Sequence, residues 1–197
     1  AILESDIYNG EVYDASNELT GWSSVDYDDS QWASVVRMDI SKEKLIAPEG
    51  PPVKIVNQLE PLSIEKRAEG WLVDMGQNMV GVPRITLNSG NMGDTMILRV
   101  AEMRYPDLEE SGENVGMIMT ENYRAALCQD IYFMKEGPQV FQPRFTSRGY
   151  QYIEITGLDA PLPLENVKGV VISSVLELTA DYETSNEKVN QLWSNLV

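Results

Sequence analysis

Apolar and polar residues alternate along most of this chain, with the period of two that extended strands show. In "TMILRVAE" (95–102), Met96, Leu98 and Val100 share one face, and Ile97, Arg99 and Ala101 the other. "DIYFMK" (130–135), "YQYIEIT" (150–156) and "VKGVVISSVLEL" (167–178) follow the same rule and are rich in β-branched and aromatic residues. Gly, Pro, Asn and Asp fall between these runs, where turns need them. The pattern predicts an all-β chain, an antiparallel β-sandwich. "ILESDIYNGEVYDA" (2–15) reads as extended, with a turn at Asn9–Gly10. "SGNMGD" (89–94) reads as a hairpin; it lacks the Lys-Ser/Thr end of a phosphate-binding loop. "DMGQNMVGVPRI" (74–85) breaks its own apolar run with Asp74, Gly76, Gln77, Asn78 and Gly81, and is read as a structured turn inside the sandwich.

The period changes only at the end. In "TSNEKVNQLWSNLV" (184–197), Val189, Leu192, Trp193 and Leu196 fall on one helical stripe. Thr184 with Glu187 has the spacing of a capping box. A short C-terminal helix is therefore predicted, and a stripe still running at the last residue suggests truncation. "AILESDIYNG" enters strand-like sequence at once, as expected of a domain boundary. "APEGPP" (47–52) is the strongest linker-like punctuation, and a second boundary is placed there.

Composition narrows the function. The chain has 197 residues, enough for one large or two small domains. Lys plus Arg is 15 and Asp plus Glu is 31, a formal charge of −16. Such a surface repels phosphate backbones and anionic lipid, which argues against nucleic acid as a partner. No stretch reaches the roughly 18 apolar residues of a membrane span, and no signal peptide is visible. Histidine is absent, which removes Ser-His-Asp and Cys-His catalysis and every His-based metal site from this chain. The single cysteine, Cys128, lies in apolar sequence and reads as a buried, inert thiol.

Several groups remain as candidates. Asp74, Gln77 and Asn78 are read first as turn formers, with contact to a sugar or a neighbouring domain as the functional alternative. Arg144 and Arg148 bracket an aromatic run containing Phe145, Tyr150 and Tyr152. They are expected to pair with acids inside the fold; the alternative is binding of a carboxylate. Asp6 and Asn9, with Glu11 and Asp14, are oxygen-rich enough to be calcium candidates without matching an EF-hand loop. Trp22, Trp32 and Trp71 are read as core, with stacking on a pyranose as the alternative. Glu102 is one acid among many and is not assigned as catalytic, because a glycosidase needs two carboxyl groups paired across the sugar.

Three groups of segments resemble bacterial α-L-rhamnosidases, glycoside hydrolase family 78. "YNGEVYDA" followed by "GWSSVDYDDSQWASV" is similar to the end of that family's N-terminal sandwich. "DMGQNMVGVPRI…GDTMILRVAEM" resembles its DFGQN stretch and the LRHAE strand after it. "YRAALCQDIYFMKEG…FQPRFTSRGYQYIEITG" resembles its PRFTYHGFRYVEV region, and "ADYETSNEKVNQLW" the lead into its catalytic barrel. Where the family carries histidines, Val100 and Arg148 stand here, and its next arginine is Gln151. The resemblance implies a jelly-roll or concanavalin-like sandwich. It implies the closing segment of an N-terminal sandwich at 1–47, a linker at 48–52, a sandwich domain at 53–180, and the first turns of an (α/α)6 barrel helix at 181–197. In the family the acid and base are glutamates of that barrel, which work with inversion, so no catalytic residue is expected in this chain and the fragment alone is expected to be inactive. The implied partners are a rhamnosylated carbohydrate and the catalytic barrel in cis. No cofactor is implied beyond optional calcium. A periplasmic or secreted location is favoured over a cytoplasmic one. The rival reading is an autonomous carbohydrate-binding module for L-rhamnose-containing glycans.

Overall fold

The computed structural model describes residues 1–175 and 178–196. Among these residues the strands, in chain order, are β1 (Ile2–Asp6), β2 (Gly10–Asp14), β3 (Lys54–Leu59), β4 (Ser63–Lys66), β5 (Gly70–Leu87) and β6 (Thr95–Ala101). They continue with β7 (Met103–Arg104), β8 (Ile118–Met119), β9 (Gln129–Phe133), β10 (Gln139–Phe141), β11 (Arg148–Thr156) and β12 (Val167–Ser173). One helix, α1 (Glu187–Leu196), closes the chain. The predicted strand at 167–178 ends earlier, at Ser173, and its residues 176 and 177 lie outside the described residues. The predicted all-β architecture with a short C-terminal helix is the one observed.

Strand pairing runs β1-β2-β9-β6-β11-β5-β12-β3, with β4 and β10 also joined to β5. All of these pairs are antiparallel except β2 with β9. The alternation read in β6 holds: Met96, Leu98 and Val100 face the core at 0%, 0% and 1% exposure. They join Val73, Ile153, Ile155 and Val167 from neighbouring strands. Full burial of side chains of this size contributes roughly 1.5–3 kcal/mol each. At one end of the core the rings of Tyr13 and Tyr132 stack at 5.7 Å, and those of Tyr132 and Phe141 at 4.6 Å.

β5 holds the two layers together. At 18 residues it is far longer than the five or six typical of strands, roughly speaking. Its first part, Gly70–Asp74, lies between β4 and the C-terminal half of β11. Its later part, to Leu87, pairs with β12 on one side and with the start of β11 and then β10 on the other. Between these parts the β11 register jumps from Tyr150↔Met79 to Tyr152↔Asp74. The stretch 74–81 is thus a bend within one continuous strand rather than the predicted turn. Its glycine is what permits this: Gly76 has φ +78°, in the left-handed region. Opposite the bend, the single residue Gln151 spans four residues of β5, 75–78, so the extra residues of this irregularity lie in β5. Along β11 the alternation slips by one residue between Tyr150 and Ile153, and such a slip moves the following side chains to the other face. Tyr150 accordingly points into the main core, while Tyr152 packs on the other face with Leu72, Ala101 and Ile118.

Three further expectations are corrected. β5 and β6 are not neighbours, because β11 lies between them, so 89–94 crosses over rather than closing a hairpin. Trp22 and Trp32 are not core: no strand forms between residues 18 and 53, and the two rings are 56% and 48% exposed. Trp71 is half-buried against the core, its indole N–H donating to the Leu158 carbonyl at 3.0 Å. At the helix start the cap is Asn186, whose side chain accepts from the Lys188 N–H at 3.0 Å. Thr184 instead braces Asn186 and Asn190 from outside the helix. Asn186 wins because it sits directly before the first helical residue.

The two glycines of the bend region should respond differently to substitution. Gly76→Ala places a methyl 2.6 Å from the exposed, movable Leu62 side chain, so the left-handed backbone sets its cost, about 1–2 kcal/mol. Gly81→Ala would set its methyl 1.9 Å from the Val170 carbonyl oxygen, a backbone atom of the paired strand. Urea unfolding should show a clearly larger loss for Gly81→Ala; equal losses would contradict this account of the bend.

Candidate functional site

Segments far apart in sequence meet at one cleft on the β11 face. The cleft, about 580 Å³, is lined among others by Glu102, Arg104, Tyr105, Asp107, Gln151 and Tyr152. Asp74 stands behind it. One oxygen of its carboxylate accepts the Gly76 N–H at 2.7 Å and the Gln151 side-chain amide at 3.0 Å. Asp74 therefore ties the bend of β5 to the facing residue of β11 and holds Gln151 at the cleft. The Gln151 amide also donates to the Tyr152 hydroxyl at 3.1 Å. The Arg104 guanidinium lies over the Tyr152 ring at 5.0 Å and bonds Glu65 at 2.8 Å. Glu102 accepts from the Asn122 amide at 2.9 Å. The Tyr105 hydroxyl donates to Glu121 at 2.7 Å, and that bond raises its pKa.

These groups form a wall of oriented amides, carboxylates and a covered aromatic ring. Groups of this kind have the donors and acceptors to hydrogen-bond hydroxyls or a neighbouring backbone. It contains no histidine, and its glutamate is already engaged by an amide. Gln77 and Asn78 do not join it; they lie exposed on the bend of β5. Gln151 was passed over in the sequence reading except as a departure from a family arginine. The signal that could have found it was the one-residue slip in alternation between Tyr150 and Ile153.

Arg148 has a different place. It is buried, and both terminal nitrogens of its guanidinium grip Asp130, at 2.7 and 3.0 Å. Asp130, with no exposure, also accepts the Glu11 N–H at 2.9 Å. Glu11, equally buried, accepts the Arg144 backbone N–H at 3.2 Å. Gly10 fits here only because it lacks a side chain: a methyl would lie 1.9 Å from the Gln129 carbonyl oxygen and 2.5 Å from the Arg148 guanidinium. This cluster fastens the β1–β2 hairpin to β9 and β11. The pairing expected for Arg148 is thus inside the fold, whereas the Arg144 side chain is exposed and makes no ion pair among the described residues.

The oxygens of Asp6 and Asn9 do not fit a calcium cage. Asp6 caps the hairpin turn, accepting from the Tyr8 and Asn9 N–H groups at 2.8 and 2.7 Å, which lowers its pKa. Asn9 uses its side-chain oxygen on the Leu127 N–H at 3.3 Å. No cluster of three or more metal-ligating acids, cysteines or histidines exists among the described residues. Cys128 is buried, and desolvation pushes its thiol up, as an inert thiol requires.

Glu11 sets a pH dependence. Desolvation raises its pKa above the usual 4.5, the field of Asp130 adds to this, and the Arg144 N–H works against it. A raised folded-state value favours the protonated form, so its contribution to stability is full below 4.5 and is lost as pH rises through the raised value. Glu11→Gln keeps an acceptor for the Arg144 N–H and should flatten the stability–pH curve across that window, read by urea midpoints. Asp130→Ala strands a buried guanidinium and should cost about 3–5 kcal/mol. A loss under about 1 kcal/mol, the level of a surface pair, would show that the cluster does not hold the hairpin.

Comparison with known proteins adds a family. Residues 64–173 match the bacterial alpha-L-rhamnosidase concanavalin-like domain, and residues 1–57 the alpha-L-rhamnosidase N-terminal domain. The chain is 39% identical over 197 residues to an alpha-L-rhamnosidase of Formosa agariphila, covering 98% of this chain and 20% of that protein. It is 35% identical over 198 residues to one of Streptomyces avermitilis, covering 99% and 18%. The solved structure of the Streptomyces avermitilis alpha-L-rhamnosidase complexed with L-rhamnose superposes with a TM-score of 0.85, over 99% of this chain and 18% of that one. The alpha-L-rhamnosidase from Dictyoglumus thermophilum gives 0.85 at 30% identity, over 98% and 21%. The chain thus spans about a fifth of the length of the relatives it matches.

Proposed function

The chain belongs to the bacterial α-L-rhamnosidase family, and from that premise we propose that it is the non-catalytic β portion of such an enzyme. The parent would hydrolyse terminal α-L-rhamnose from glycosides or polysaccharides with inversion. Residues 1–47 would close an N-terminal sandwich, 53–180 would form the concanavalin-like domain, and 181–197 would open the first helix of the catalytic (α/α)6 barrel. The observation that carries this reading is the match itself: it runs end to end along this chain and along only about a fifth of each relative.

Within the parent this portion is a scaffold. The helix α1 leaves Val189, Leu192 and Leu196 uncovered, at 36%, 57% and 74% exposure. An apolar stripe of this kind suits packing against further helices. The cleft of Gln151, Arg104 and Glu102 is the part best furnished to wall a sugar site, since its amides and carboxylates are held in place by Asp74, Glu65 and Asn122.

Two measurements test this. Assayed on 4-nitrophenyl α-L-rhamnoside, the purified chain should be inactive while the full-length enzyme turns over; activity in the chain alone would overturn the reading. In the full-length enzyme, Gln151→Ala should raise KM about two- to tenfold, the worth of one neutral hydrogen bond, with kcat nearly unchanged. An unchanged KM would remove the wall and leave the scaffold. Saturable binding of L-rhamnose to the isolated chain would instead favour an autonomous carbohydrate-binding module.

A further inference from the structure

A second groove lies away from the Gln151 cleft, between the N-terminal hairpin and the strandless segment that follows it. Its larger part, about 640 Å³, is lined by Tyr13, Glu18, Trp22, Trp32, Lys135 and Arg144, among others. A recess of about 360 Å³ shares Tyr13, Glu18 and Arg144 with it and adds Arg84 and Gln142. The two adjoin through these three shared side chains, and the groove comprises both.

Its charge is opposite to that of the chain. Acids outnumber bases 31 to 15, so an exposed guanidinium has abundant partners to choose from. Yet among the described residues neither Arg84 nor Arg144 makes an ion pair. Arg84 reaches only the neutral Gln142 amide oxygen, at 3.4 Å. Glu18, the acid of the groove, is already taken: it bonds the Lys135 ammonium and accepts from the Tyr13 hydroxyl at 2.8 Å. Burial pushes the Glu18 carboxyl up, but these two bonds outweigh it and hold it below its usual range. Glu18 and Lys135 cancel each other, and although the field of Arg144 also reaches Glu18, neither guanidinium makes an ion pair among the described residues.

The rim is aromatic. Trp22 and Trp32 expose about half their surface, and Tyr27 tilts against Trp32 at 5.5 Å and braces it. Large flat rings left open to water beside free hydrogen-bond donors suit a ligand with an apolar face and a polar edge. Guanidinium groups match a planar carboxylate in bidentate geometry.

We propose that this groove binds a carboxylate-bearing sugar, a uronate, with Arg144 and Arg84 on the carboxylate and Trp22 or Trp32 against the ring. The inference stands on these residues and does not rest on the rhamnosidase reading.

Tryptophan fluorescence of the chain, titrated at constant ionic strength, tests it, with D-glucuronate, D-glucose, L-rhamnose, acetate and glucose 6-sulfate as separate probes. Glucuronate should saturate and the other four should bind more weakly. Arg144→Gln should weaken glucuronate about tenfold to a hundredfold, the range of a charge-assisted hydrogen bond. Arg84→Gln should weaken it in the same direction, and Trp22→Ala with Trp32→Ala should remove the signal, with circular dichroism confirming that each variant is folded. No response to glucuronate would overturn the proposal. An equal response to acetate would reduce the groove to a general anion site, an equal response to glucose or rhamnose would remove the role of the arginines, and a preference for the sulfate would overturn the carboxylate assignment.

Discussion

The buried contact of Arg148 with Asp130 is the constraint on which the rest of the structure depends. A guanidinium and a carboxylate taken out of water lose several kcal/mol of hydration each, by order of magnitude, and attraction alone repays this only with good geometry and further bonds. Here the geometry is bidentate, and the Glu11 N–H supplies a further donor to the carboxylate. The cluster draws together β2, β9 and β11. It also dictates Gly10, because a side chain there would collide with the guanidinium. The hairpin is then completed by backbone bonds from Cys128 and Gln129 to Tyr8 and Asn9. A cation at position 148 thus needs Asp130 on β9 and a bare backbone at 10, and the three residues form one structural unit although they are distant in sequence.

The second organising device is a pair of irregularities that match. β5 bends at Gly76, with four residues where β11 has one, while β11 slips in alternation beside Gln151, and each would be a defect without the other. Asp74 joins them through one carboxylate oxygen. A bend in a long strand lets it serve two layers, and the slip in its neighbour keeps apolar residues facing inward on both sides of the bend. A consequence is that Gln151 and Tyr152 turn outward at one place and create a polar cleft. The furnished surface is thus a by-product of how the sheet changes direction.

Much of this was legible in the sequence, and the remainder failed for physical reasons. Period-two alternation identified β6 because its buried face is purely apolar, and β9 through its aromatic and β-branched residues although its buried face carries Asp130. The helical stripe of α1 was equally plain. The bend was read as a turn because Asp, Gly, Gln and Asn signal reversal when only local bonding is considered. Whether the chain reverses or only bends is decided by β11, some seventy residues away. The same non-local pairing hid the crossover at 89–94: a loop of turn residues cannot report which strand will lie between its ends. Trp22 and Trp32 were assigned to the core because large aromatics are usually buried, and only the absence of strands around them exposes their rings. Arg144 and Arg148 are four residues apart and similar in sequence context. Their fates differ because Asp130 lies under one and not under the other.

That difference explains how charge is divided in so acidic a chain. Arg148 is buried with both terminal nitrogens on Asp130, so it holds structure and is closed to a ligand. Arg104 is half-buried, shared between Glu65 and the Tyr152 ring, and belongs to a braced wall. The Arg144 and Arg84 side chains are exposed and form no ion pair among the described residues. In water an exposed ion pair contributes little, roughly 0–1 kcal/mol, so the fold gives up almost nothing by leaving them unpaired. What it retains is a positive groove within a surface of net charge −16. A field of that sign repels nothing anionic at close range, while the surrounding acids disfavour anions elsewhere on the molecule. Selectivity for where an anion lands follows from the placement of the few guanidinium groups that the interior does not consume.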